Sequence, residues 1–273
     1  MGDSRTVDRE YLRERFDTVR ETVRRERRRT VIERRAFTAF SDRIRQLDIE
    51  DPSPASTDHS SAVSTPGGAM ASPALAVDGP DPTDAIRRAY EETVMAVPFY
   101  EEEYGDSYEE SIRAEFGPEI ATAITQPQCF GPPTKRALYA ATQRATGERT
   151  YLIKTCNQEH ESIDIAADTL LPLVSELDRT ATERIDTEPF GTLEAQWMRI
   201  GTLREHCDGA ATARQQDIDE LRTRFDLPIE APDICVYLYQ GLDVAYPVLA
   251  GCASIAARLQ TIQDRYEQAM AEY

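Results

Sequence analysis

Cys156 and His160 stand four residues apart, and His206 immediately precedes Cys207. On a helix a spacing of four puts two side chains on one face. A Cys–His pair from each of two neighbouring helices would complete a tetrahedral zinc site. A Cys–His pair is also the starting equipment of thiolate catalysis. Against both uses, the chain has no Cys-x-x-Cys, and its five cysteines match no zinc ribbon or finger. Catalysis would further need a third member and an oxyanion hole that no motif announces. No catalytic residue and no cofactor is therefore assigned, and Cys156, His160, His206 and Cys207 stand only as weak metal candidates. An odd number of cysteines also argues against a disulfide framework.

A second chemistry is phosphate recognition. Arg20, Arg24, Arg25, Arg27, Arg28, Arg29, Arg34 and Arg35 crowd one short stretch, and guanidinium forks suit phosphates. Glu21, Glu26 and Glu33 are interleaved at spacings that allow ion pairs along a helix. The stretch therefore reads first as a solvated or partner-helix face, and second as a nucleic-acid contact. A third candidate is the run Glu101, Glu102, Glu103, Asp106, Glu109 and Glu110, which has carboxylates enough for calcium or magnesium. It lacks the alternating oxygen-ligand loop of an EF-hand and reads as a hydrated acidic face.

The elements that must carry these residues are helices. Between Thr6 and Leu47 there is no proline or glycine, and apolar residues recur in steps of four and three: Leu12, Phe16, Val19, Val23, then Phe37, Phe40, Ile44, Leu47. Carried through the gap, the seam lands on Glu26, Thr30 and Glu33, so it turns polar at its centre, a pattern that can fix register in packed helices. Residues 51–82, rich in Pro, Ser, Gly and Ala and containing His59, read as a flexible linker. Thr83 is the expected N-cap of a helix that Pro98 ends. Short helices are expected near 107–116 and 118–125.

Thr134 is the expected cap of a long helix towards Arg184. Its seam is Leu152, Cys156, Glu159, Ile163, Ala166, Leu170, Leu173 and Leu177, with a kink or break at Pro172. A second long helix follows Glu188–Pro189 with Leu193, Trp197, Ile200, Arg204, Cys207, Ala211, Arg214, Ile218, Leu221 and Phe225. Pro228 and Pro232 mark a turn. A last helix is expected from Cys235 through Leu238, Leu242, Ala245, Leu249, Cys252, Ala256 and Leu259 to Tyr266 and Met270. Short connections between the long helices imply antiparallel neighbours.

These patterns predict an all-α protein, an elongated bundle of long coiled-coil-like helices with a segment of short ones. The expected organisation is an Arg-rich helix over 1–50, a linker over 51–82 and an acidic helical body over 83–273, with short helices in 83–131 and long ones in 134–273. Four of the five cysteines fall on seams, where a thiol serves as a small hydrophobe.

Composition sets the setting. The net charge is −18, and of 31 basic residues only Lys135 and Lys154 are lysines. An acidic, lysine-poor surface suits near-molar salt, where the Debye length falls to roughly 3 Å and carboxylate repulsion is screened. Residues 1–50 are the exception, with fourteen Arg against eleven Asp or Glu. No apolar leader opens the chain, and the most apolar stretch, 234–257, is interrupted by Gln240, Asp243 and Pro247, so neither secretion nor a membrane span is expected. The setting expected is a salt-adapted cytoplasm.

The run AYEETVMAVPFYEEEYGDSYEESIRAEFGPEIATAI at 89–124 resembles a haloarchaeal family of helical proteins, a domain of unknown function. CDGAATARQQDI at 207–218 and YLYQGLDVAYPVLAGC at 237–252 are similar to it as well. The likeness extends over most of 83–273 and the arginine-rich helix, and it implies no activity, cofactor or site residue. The function expected is a non-enzymatic helical interaction or scaffold protein, acting by self-association or on a protein partner. The alternatives are a nucleic-acid-associated regulator and a Cys/His metalloprotein.

Overall fold

The structure, a computed structural model, describes residues 8–47, 81–181, 185, 188–224 and 233–273. Among them there is no strand. The helices are α1 (Arg9–Gln46), α2 (Pro82–Glu91), α3 (Tyr100–Glu103), α4 (Tyr108–Thr125), a 3-10 turn (Pro127–Cys129), α5 (Pro132–Ala181), α6 (Phe190–Arg224), α7 (Ile234–Leu238) and α8 (Pro247–Ala271). The all-α reading holds. The linker with His59, and the Phe225, Pro228 and Pro232 turn, lie outside the described residues, except that Asp81 and Pro82 already belong to the start of α2.

The chain forms two compact units, one of Met1–Arg29 with Leu152–Tyr273 and one of Thr30–Tyr151. The N-terminal helix, read from composition as a domain of its own, supplies core residues to each. In unit one Leu12, Phe16, Val19 and Val23 are buried with Cys156, Ile163, Leu170 and Leu177 of α5, Leu193, Ile200 and Cys207 of α6, and Val248, Ile255 and Leu259 of α8. Burying each large aliphatic side chain contributes about 1.5–3 kcal/mol, so α1 is a structural member of this core.

Unit two is built on aromatics. Phe40 meets Tyr90 edge-on at 5.1 Å and stacks on Phe116 at 6.1 Å, while Tyr90 lies 5.8 Å from Tyr108. Ile86, Ile112, Ile124 and Leu138 complete this core. Lys135 Nζ donates to the Leu47 carbonyl at 2.5 Å, placing a cation on the unsatisfied end of α1.

Several helix ends differ from the pattern. Asp81, not Thr83, caps α2: its carboxylate accepts from the Thr83 N–H at 2.9 Å, with Pro82 at the first turn. Helix α5 starts at Pro132, ahead of Thr134, because prolines are well placed in a first turn where no N–H is needed. It also runs through Pro172 without a break. Pro172 is exposed while Leu170, Leu173, Val174 and Leu177 are buried, so core packing on both sides offsets the roughly 3 kcal/mol penalty of the ring. The break near Gly117 is as expected: Gly117 sits at φ 83°, ahead of Pro118, inside α4. Ser107 and Glu110 close a reciprocal capping box at the start of α4.

The expected single last helix is two. α7 ends at Leu238, and α8 begins at Pro247 after a turn stitched by Tyr246 Oη, which donates to Asp233 Oδ2 at 2.5 Å. Within α8 the expected seam positions Cys252, Leu259 and Tyr266 are buried. Pro247, Val248, Gly251, Ile255 and Ile262 are buried beside them, whereas the expected Leu249 and Ala256 are only half-buried.

Candidate functional site

Glu159 and Arg214 are charged residues at seam positions of α5 and α6. Pairings between 159 and 214 and between 176 and 199 make these two helices antiparallel. Arg214 Nη2 and Nη1 donate to Glu159 Oε1 and Oε2 at 2.6 and 2.9 Å, with both side chains at most 2% exposed. The Tyr239 hydroxyl donates to Glu159 Oε1, and Arg214 also reaches Ser162 Oγ at 2.8 Å and Cys235 Sγ at 3.4 Å. Ser162 Oγ then donates to Asp217 Oδ2 at 2.5 Å. Burial alone would lower the Arg214 pKa, but the Glu159 charge overrides it and holds the guanidinium above its ordinary range. Burial raises Tyr239, reinforced by the same carboxylate. A fork-to-fork pair of this kind fixes one register of α5 against α6.

The network surfaces where Ser162 and Asp217 border a groove along α5 and α6. Two adjoining cavities, of about 340 and 180 Å³, share Ser162, Ile165 and Asp217. Ile165 is 60% exposed there, and Gly209, Ala210 and Ala213 line the α6 side. Glu161, Glu205, Asp217 and Glu220 set its charge.

Unit two carries its own ion-pair cluster. Arg149 Nη1 donates to Glu115 Oε2 at 3.0 Å and its Nε to Glu33 Oε2 at 3.2 Å, and its guanidinium lies 4.3 Å from the Phe37 ring centre. The Tyr104 hydroxyl donates to the other Glu33 oxygen at 2.7 Å. In unit one Glu26 accepts from the Tyr237 hydroxyl at 2.6 Å. Two of the polar positions at the centre of the α1 seam are thus hydrogen-bonded within their own units.

The metal candidates are spread over distinct surroundings. Cys156 is fully buried, and burial pushes its thiol up to about 12. His160 Nε2 sits 3.4 Å from Arg24 and 3.7 Å from Asp164. His206 is exposed and borders the groove. Cys207 is buried, donates towards the Cys252 carbonyl at 3.5 Å, and has its pKa raised by the Cys252 thiol and by burial. Burial likewise raises Cys235 to about 12. These thiols are therefore protonated near neutral pH, the inert form. Among the described residues no group of three or more His, Cys, Asp or Glu is arranged to hold a metal ion. In the acidic run, Glu110 closes the α4 capping box and Glu109 pairs with Arg87 at 3.1 Å.

The arginines divide. Arg20 pairs with Asp164 at 2.7 Å, Arg27 donates to Asn157 at 2.6 Å, and Arg28 pairs with Glu21 along α1 at 2.6 Å. Arg25 and Arg29 border a cavity beside the turn after α7. Arg24, Arg25, Arg27 and Arg28 are exposed, Arg29 and Arg34 are half-buried, and Arg35 is exposed in unit two. No helix among the described residues is long and apolar enough to cross a membrane.

An all-helical protein with ion pairs buried at its seams is the class these features define. The chain belongs to the family described as a domain of unknown function, DUF7260, whose model matches residues 14–263. No curated protein and no solved structure matches it.

Proposed function

We propose that the protein is a non-enzymatic helical interaction protein of a salt-adapted cytoplasm. The observation that carries this reading is the α5–α6 face. Ile165 is 60% exposed over the groove, and Met198, further along α6 on the 198–202–205–209 stripe, is 57% exposed. Ile165 stands over a cavity lined by Ala166, Gly209, Ala210 and Ala213, and an exposed aliphatic side chain beside such an apolar floor fits a contact surface. The acidic, lysine-poor composition supports the setting, and the register-fixing Glu159–Arg214 pair supports a rigid platform rather than a reacting site. A photo-crosslinking residue at Ile165, expressed at native salt, should capture discrete protein adducts. The same residue at exposed Asp264, on α8 and away from this face, serves as control, and identical capture at both positions would sink the reading.

Exposed Arg24, Arg25, Arg27 and Arg28 favour a second reading, a nucleic-acid-associated regulator. Because α1 is part of the core, deletion is the wrong test, and Arg→Gln at these four positions is the right one. Loss of co-purifying nucleic acid, read from the ultraviolet absorbance ratio at working salt, supports it. Unchanged retention removes it.

A further inference from the structure

We propose that the α5–α6 groove receives an amphipathic helix from another protein, one whose apolar stripe is flanked by arginine or lysine. The inference rests on the interaction reading above and names the chemistry of the partner. Length comes first: from Gln158 to Thr169 the two cavities follow α5 for eleven residue steps, about 16 Å at roughly 1.5 Å each, or three turns of a docked helix. Close approach comes from α6, where Gly209, Ala210 and Ala213 present little side chain, so a partner backbone can lie near the α6 surface. The apolar anchor is Ile165, standing at the junction of the two cavities.

Charge then selects the occupant. The groove carries Glu161, Glu205, Asp217 and Glu220, while Arg214 inside it is already neutralised by Glu159. Four carboxylates around an apolar floor complement a helix with basic flanks and repel one with acidic flanks. A second copy is the poorer fit. The chain's own basic face lies on α1, whose apolar stripe of Leu12, Phe16, Val19 and Val23 is buried in its own core. Among the described residues α1 therefore leaves no exposed apolar stripe between its basic flanks.

The test uses the full chain and two labelled synthetic helical peptides of 21 residues, each with one Leu/Ala stripe, flanked by Arg in one and by Glu in the other. In fluorescence anisotropy at both 0.2 M and 3 M salt the Arg peptide should bind more tightly than the Glu peptide, at least tenfold so at the lower salt where charge is least screened. Glu205→Lys with Glu220→Lys should weaken it tenfold or more, and Ile165→Asp should abolish binding. All three positions are exposed, so circular dichroism should report unchanged helicity. Equal binding of both peptides, or indifference to Ile165→Asp, overturns the proposal. So does a concentration-dependent dimer in sedimentation equilibrium that Ile165→Asp dissolves, because the occupant is then a second copy. If neither peptide binds while the Ile165 crosslinker still captures discrete adducts, the partner chemistry fails and the interaction reading survives. Failure of both removes both.

Discussion

Arg214→Met should destabilise unit one by about 3–5 kcal/mol, because it strands the Glu159 carboxylate at 0% exposure with no counter-charge. Total stabilities of folded proteins are about 5–15 kcal/mol, so the loss is a large fraction of what holds the fold. Replacing the whole cluster behaves differently. In Glu159→Leu/Arg214→Met/Tyr239→Phe the buried charges and the hydroxyl that serves them leave together, and Ser162 keeps its bond to Asp217. The triple variant should recover most of the loss, since taking two ions out of water costs about as much as their attraction returns. The single tryptophan makes this measurable for unit one alone: Trp197 sits on α6, its indole N–H donating to Glu267 at 2.9 Å. Urea denaturation followed by its fluorescence should show a much lower midpoint for Arg214→Met. The gap should persist from 0.2 to 3 M salt, because a pair removed from solvent is barely screened. A shift under about 1 kcal/mol would show that losing Arg214 does not strand Glu159, and a triple variant no better than the single would show that the loss comes from the missing pair and not from the stranded carboxylate.

Much of this arrangement was legible in the sequence because helix burial is periodic. Leu12, Phe16, Val19 and Val23, then Phe37, Phe40 and Ile44, are all buried in α1, as is Thr30 at the polar centre of the seam, and Gly117–Pro118 marks the interruption of α4. The ion pair was half legible. Glu159 and Arg214 both stand on apolar seams of neighbouring antiparallel helices, and opposite charges at such positions are a signal for a buried bridge. What spacing could not supply was the register that puts 159 beside 214 rather than a turn away, or the return of the chain that brings Tyr239 and Cys235 to the same point. The break before α8 was missed for a different reason. Steps of four and three continue by coincidence across Leu238, Leu242 and Ala245, so periodicity alone joined two helices that Pro247 separates. Pro172 shows the converse: a local breaker overruled by Leu170, Leu173 and Leu177 in the core. The groove had no sequence signature, because Gly209, Ala210 and Ala213 become a surface only when α5 lies beside them.

Unit one should also lose stability steeply as the solution turns alkaline, and the buried thiols set the sign. An unfolded cysteine gives up its proton near pH 8.5, whereas Cys156 and Cys235 in the fold hold theirs to about pH 12 because burial penalises the thiolate. Their contribution is complete below about pH 8. It then declines as pH rises, since only the unfolded chain ionises and is stabilised by doing so. Each thiol contributes a slope of about 1.4 kcal/mol per pH unit between the two pKa values, so the pair removes roughly 3 kcal/mol per unit. Tyr239, raised by the same burial, adds to the decline only where an unfolded tyrosine ionises, near pH 10 and above. The window from pH 8.5 to 10 therefore isolates the cysteines. Urea midpoints read from Trp197 across that window should fall steeply in the wild type and less steeply in Cys156→Ala/Cys235→Ala, whatever the double variant loses at neutral pH from two small cavities. Equal slopes would mean that these thiols ionise as readily in the fold as in the open chain, and that the helical seams do not seal them from water.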